Sequence, residues 1–96
     1  MYVIFVEFVR PLEEVDRVAP AHKAWLETLR AAGTLLASGR RNPRTGGVIL
    51  AAAPSREAID RLIEADPFHV AGIATHSVFE FQPSLTAPDL THLIGR

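Results

Sequence analysis

The opening run Tyr2-Val3-Ile4-Phe5-Val6-Glu7-Phe8-Val9 sets the strongest limit on what this chain can fold into. Apart from Glu7 it is all β-branched or aromatic, and as a strand it is apolar on both faces. Tyr2, Ile4, Val6 and Phe8 fall on one side, Val3, Phe5 and Val9 on the other, because successive side chains alternate across a strand. A sheet built on such a strand needs cover on both faces. Arg10-Pro11 ends the run, since proline has no N–H to give to a ladder.

The rest of the chain supplies cover for one face. Val15, Val18, Ala19, His22, Trp25, Leu26, Leu29 and Ala32 recur at helical spacing, and Gly33 is a suitable stop. Leu35 to Arg40 reads as a second strand. Arg41-Asn42-Pro43-Arg44-Thr45-Gly46 is turn chemistry, leading by a hairpin into a third strand from Gly47 to Ala53. Ser55 is the expected N-cap of a second helix with its apolar stripe at Ala58, Ile59, Leu62 and Ile63. Asp66-Pro67 stops that helix, a short turn or helix runs on to Gly72, and a last strand lies near His76 to Gln82, closed by Pro83. Residues 84–96 carry no strong period and form a tail beyond a domain of residues 1–83.

The order β-α-β-β-α-β is the ferredoxin-like split motif: an α+β domain with an antiparallel sheet and both helices on one face. Two helices cannot cover the other face of the first strand. A second copy of the chain is the simplest cover, so a homodimer is expected.

Composition narrows the function classes. The chain has 96 residues, one domain's worth, and too few for a deep private active site; clefts between helices and sheet, or between subunits, are the expected alternative. Net charge is −1 with 10 basic and 11 acidic residues well mixed, so neither nucleic acid nor an acidic membrane is an expected partner. The apolar N-terminus has no basic leader and meets Glu7 early, reading as a strand rather than a signal peptide, and no run approaches the ~20 residues of a membrane span. The absence of cysteine removes thiolate chemistry and fits a cytoplasmic setting.

Several local patterns resemble the YciI-like (YCII-related) family: the opening strand Tyr2-Val3-Ile4-Phe5; Ala21-His22 followed by Trp25-Leu26; Leu35-Leu36-Ala37-Ser38-Gly39; Asp66-Pro67-Phe68 with Ala71-Gly72; and Val78-Phe79-Glu80-Phe81. The resemblance spans about residues 2–83. It implies a dimeric α+β barrel with a His–Asp pair at an active centre, and the matching positions here are His22 and Asp66. Arg40-Arg41 depart from the pattern, standing where relatives often carry proline. One relative is similar to a dehydrochlorinase acting on a chlorinated aromatic breakdown product. The resemblance therefore implies cofactor-free lyase or isomerase chemistry on a small, aromatic-derived metabolite, or else a non-catalytic dimeric module that binds one.

Each candidate also has a plainer reading. His22 lies within an apolar helical stripe, where it is either a core histidine bonded to backbone or a proton-transfer group suited to neutral pH. Asp66 before proline is a standard helix cap, and a capping carboxylate can still orient an imidazole. Ser38 and Arg40, near the end of the second strand, and Arg10, after the first, are candidates for binding a polar or anionic substrate group; the alternatives are a strand serine and solvated arginines. His69 and His76 raise a metal site with Asp66 or His22, but their spacing is not a ligand pattern, and no metal or cofactor is expected. Arg40, Arg41 and Arg44 read as solvated turn charges. The first and third strands are read as lacking the stacking aromatics that an RNA-binding sheet needs.

Overall fold

In the computed structural model, which describes residues 1–96, the elements run β1 (Tyr2–Phe8), α1 (Leu12–Ala31), β2 (Leu35–Arg40), β3 (Gly46–Ala51), α2 (Arg56–Glu64), α3 (Pro67–Val70) and β4 (Ala74–Glu80), followed by a 3-10 helix over Pro88–Leu93. The four strands form one sheet in the order β2-β3-β1-β4, antiparallel at every pairing. The expected βαββαβ order is realised as an α+β fold, with α3 inserted as an extra turn between α2 and β4. The third and last strands begin earlier than the apolar pattern suggests, at Gly46 and Ala74, because their first residues pair with Glu7 and Phe8 of β1.

Local chemistry sets the element ends. Gly33, at φ 78°, takes the left-handed conformation after α1; its N–H reaches Arg30 O and that of Thr34 reaches Leu29 O, satisfying two terminal carbonyls. Ser55 caps α2, its Oγ accepting from Ala58 N at 3.2 Å. Gly46 answers a different demand: a Cβ there would stand 1.7 Å from the Val6 carbonyl oxygen, so only glycine lets β3 begin this close to β1. Pro20 sits inside α1, where it withholds an N–H from the Asp16 carbonyl.

Alternation along β1 divides the molecule. Tyr2, Ile4 and Val6 face the helices and pack with Val15, Trp25, Leu29, Ile59, Ile63 and Phe68 in the core. Val3 and Phe5 face away, level with Leu50 and Val48 of β3 and with Phe79 and Ser77 of β4. No helix of this chain covers that side: Phe5 and Phe79 meet edge to face at 5.6 Å, yet Phe79 remains 57% exposed. The tail returns to the start of the chain, with the Met1 amine donating to Phe81 O and Arg96 O at 3.0 and 2.8 Å. No helix is long and apolar enough to cross a membrane.

Candidate active site

Asp66 is the one charged residue buried in the core, with 0% exposure. It got there as a helix cap. With Pro67 at the first helical position, Asp66 turns its carboxylate back to accept from Phe68 N at 2.9 Å through Oδ1. The cap points between α1 and β4, and both present a histidine to it. His22, midway along α1, donates from Nδ1 to Oδ1 at 2.7 Å; His76, on β4 opposite Val6, donates from Nε2 to Oδ2 at 2.8 Å. Each carboxylate oxygen is thus engaged, as a buried charge requires.

Burial by itself would push the Asp66 carboxyl up. The hydrogen bonds from His22 and His76, helped by the one from Phe68, outweigh it and lower the carboxyl from an ordinary 3.8 to about 2. Asp66 is a fixed anion at neutral pH.

The His22 ring is stacked on Phe68, with centroids 4.0 Å apart and planes 13° from parallel, and Trp25 lies at 5.4 Å. Stacking and the Nδ1 bond fix the ring, leaving Nε2 without a protein partner. His22 borders a cavity of about 490 Å³ between α1 and the β2–β3 end of the sheet, within the range of small-molecule sites. Apolar walls come from Val6, Leu26, Ile49 and Phe68. Polar groups at its edge are Ser38, Lys23, Arg40 and Arg44 with Asp16.

The structure thus brings His22, Asp66, Ser38 and Arg40 to one region. Ser38 and Arg40 reach it because they pair with Ile49 and Gly47 on the helix-facing side of the sheet. Arg10 is elsewhere: it is exposed, bonded to Glu14 at 3.2 Å, and absent from the cavity wall, since the chain turns away from the sheet at Pro11 to start α1. The turn arginines are not simply solvated. Arg41 binds Glu7 at 3.1 Å, and Arg44 reaches back across the cavity mouth to Asp16 at 2.6 Å, lowering that carboxyl through the hydrogen bond it donates. The cavity-edge cations Lys23 and Arg40 have no carboxylate partner.

His76 is the member that sequence reasoning placed wrongly, weighing it only as a metal ligand. Its ring joins the cluster as a donor to the carboxylate, and no group of three or more His, Cys, Asp or Glu side chains is arranged to hold an ion. The available signal was register: in an antiparallel β4, His76 shares a face with Val6, the side the helices cover.

The family model for the YCII-related domain matches residues 1–82. The chain belongs to that family. Among solved structures, this YCII-related domain is similar to the 5-chloro-2-hydroxyhydroquinone dehydrochlorinase TftG from Burkholderia phenoliruptrix AC1100, in complex with 2,5-dihydroxybenzoquinone, with TM-score 0.73 and 24% identity over 88% of this chain and 96% of that one. It is also similar to an antibiotic biosynthesis monooxygenase, with TM-score 0.54 and 23% identity over 85% of this chain and 98% of the other. At these identities the likeness is one of fold. No curated protein matches the sequence.

Proposed function

We propose that this YCII-related domain is a cofactor-free acid–base enzyme in which His22 moves the proton and Asp66 holds His22. The observation that carries the reading is the position of one imidazole: Nδ1 is bonded to a fully buried carboxylate, Nε2 has no protein partner, and the residue lines a cavity of small-molecule size. Such a ring can take a proton from a bound substrate at Nε2 while Asp66 supports the imidazolium that forms. Returning that proton to another atom of the substrate gives an isomerisation. Expelling a leaving group from the substrate anion, chloride for example, gives an elimination. Likeness to a dehydrochlorinase fold favours the second outcome within this class.

The substrate side follows from the walls. The apolar walls suit a flat ring, while Lys23 and Arg40, which have no direct ion pair, suit with Ser38 a phenolate, enolate or carboxylate. The open face of the sheet, with Phe5 and Phe79 exposed, is the surface through which two copies would pair as a homodimer, an interface expected to bury more than ~1,000 Å² in total. The exposed aromatics equally suit a non-catalytic dimeric binding module, which would hold the same ligands without turning them over.

Turnover by wild type and His22→Ala, screened over chlorinated hydroxyquinols, lactones and related acids, separates the two. A general acid–base group contributes 10²–10⁴-fold in rate, so His22→Ala should lose turnover to that extent while still folding. Full activity in folded His22→Ala overturns the acid–base reading. Binding of 2,5-dihydroxybenzoquinone with no turnover of any compound supports the binding module instead.

A further inference from the structure

The acid–base reading uses one histidine and one carboxylate, and leaves a second buried imidazole unexplained. His76 is 3% exposed at its side chain, its Nε2 is bonded to Asp66, and its Nδ1 is buried with no hydrogen-bond partner. A buried polar atom without a partner is uncommon and weakens a fold unless something requires it. Packing alone does not require an imidazole here, since an aliphatic side chain would fill the same place without an orphaned nitrogen.

The bonds explain it. Asp66 is an acceptor only, so the His76 Nε2 facing Oδ2 at 2.8 Å must carry a hydrogen. With hydrogen on Nε2, Nδ1 is a bare lone pair, the cheaper orphan. That buried Nδ1 finds no acceptor or donor, and the neighbouring His69 ring stands with its centroid 6.0 Å away. The groups facing His76 are Asp66, whose other oxygen is bonded to His22, and the ring of His69. Only His22 combines a bond to the carboxylate with access to the cavity.

We infer that His76 is a positioning residue: locked as the Nε2–H tautomer, it pins Oδ2 so that Oδ1 stays directed at His22, and it leaves His22 as the single proton carrier of the three-residue cluster. Without that second bond the carboxylate is free to turn about its last torsion, and Oδ1 would be shared loosely between His22 Nδ1 and Phe68 N. The inference rests on the acid–base reading only for what the positioning serves; the arrangement itself is read without a substrate.

The test is two-dimensional ¹H–¹⁵N NMR of the histidine rings in ¹⁵N-histidine-labelled protein at neutral pH, where the ring nitrogen shifts report which nitrogen carries the hydrogen. In wild type, His76 should show a protonated Nε2 and a bare Nδ1, and His22 a slowly exchanging Nδ1–H. In His76→Leu the His22 Nδ1–H signal should broaden or vanish through solvent exchange. In His76→Gln, whose amide can donate to Oδ2, it should return. A His76 ring protonated at Nδ1 overturns the inference, as does an unchanged His22 signal in His76→Leu. Should His76→Leu fail to fold, the wild-type spectrum and His76→Gln decide: loss of the His22 signal in folded His76→Gln then counts against it. None of these readouts involves turnover, so failure here is distinct from failure of the acid–base reading.

Discussion

The two faces of one sheet have been put to opposite use. On the helix side of β1, Ile4 and Val6 are 2% exposed and sit in a core that also holds the only buried charge of the chain. On the other side Phe5 and Phe79 are as apolar as anything in that core, yet they remain 39% and 57% exposed. Hydrophobicity therefore does not say which side becomes the interior. The helices choose: their apolar stripes face one surface of the sheet, and the cap of the shortest helix brings a carboxylate in with them. The interior also holds its carboxyl at a depressed pKa only through the hydrogen bonds that surround it, closed off from water. A carboxylate at Phe5's position would meet water and be an ordinary surface acid.

The sharpest way to break this comparison is a matched pair of truncations. Ile4→Ala should cost about 2–5 kcal/mol, the usual range for removing a buried aliphatic side chain. Phe5→Ala, one residue along and facing the other way, should cost less in dilute solution. Chemical denaturation at two protein concentrations adds a second reading: the cost of Phe5→Ala should grow with concentration if the bare face pairs with another copy, whereas that of Ile4→Ala should not. Equal costs at every concentration would show that the two faces are energetically alike.

The same contrast explains how far the sequence was readable. The βαββαβ order was legible because each element shows its period locally: Val15, Trp25 and Leu29 mark α1, and Ile59 and Ile63 mark α2. The two-sided β1 was legible for the same reason. His22 and Asp66 emerged through a resemblance to known proteins, and the 2.7 Å bond between them joins positions 44 residues apart that no periodicity connects. His76 was missed because its meaning depends on strand register, which one strand read alone does not reveal. Arg10 was overvalued for a related reason: closeness in sequence to the end of β1 does not put it near the cavity, because the chain leaves the sheet there and Arg10 pairs with Glu14 in the first turn of α1. Arg44 was undervalued, since the turn folds back onto Asp16 of α1, a contact no local rule supplies.

A smaller effect should appear in acid and belongs to the helix side alone. Asp66 titrates at about 2 in the fold, against an ordinary value of 3.8. A carboxyl with a depressed folded value contributes stability that is present above its unfolded pKa and is lost as pH falls through the folded one. Urea unfolding should therefore lose about 2 kcal/mol between about pH 4 and about pH 2 on account of this one group. Asp66→Asn should be less stable at neutral pH but show a shallower decline across that window. If Asp66→Asn declines as steeply as wild type, the acid sensitivity arises elsewhere.

The smallest effect on stability separates two arginines that each follow a strand or end one. Arg10 lies outside the cavity in an exposed pair with Glu14, and Arg40 stands on the helix-facing side of β2 with no direct ion pair, although its charge acts on Asp16. Exposed ion pairs contribute little, because the two long side chains lose freedom and water screens the attraction, so Arg10→Ala should change unfolding free energy by no more than about 0.5 kcal/mol. Arg40→Ala should be equally mild for folding, since removing it breaks no pair. The two should part company in binding. If the cavity takes an anionic ring, Arg40→Ala should weaken binding of 2,5-dihydroxybenzoquinone, measured by calorimetry at neutral pH, and raising the salt concentration should narrow its difference from wild type. Arg10→Ala should bind as wild type does. A reversal, with Arg10→Ala impaired and Arg40→Ala unaffected, would move the ligand off the cavity and onto the outer end of β1, and with it the division of labour between the two faces.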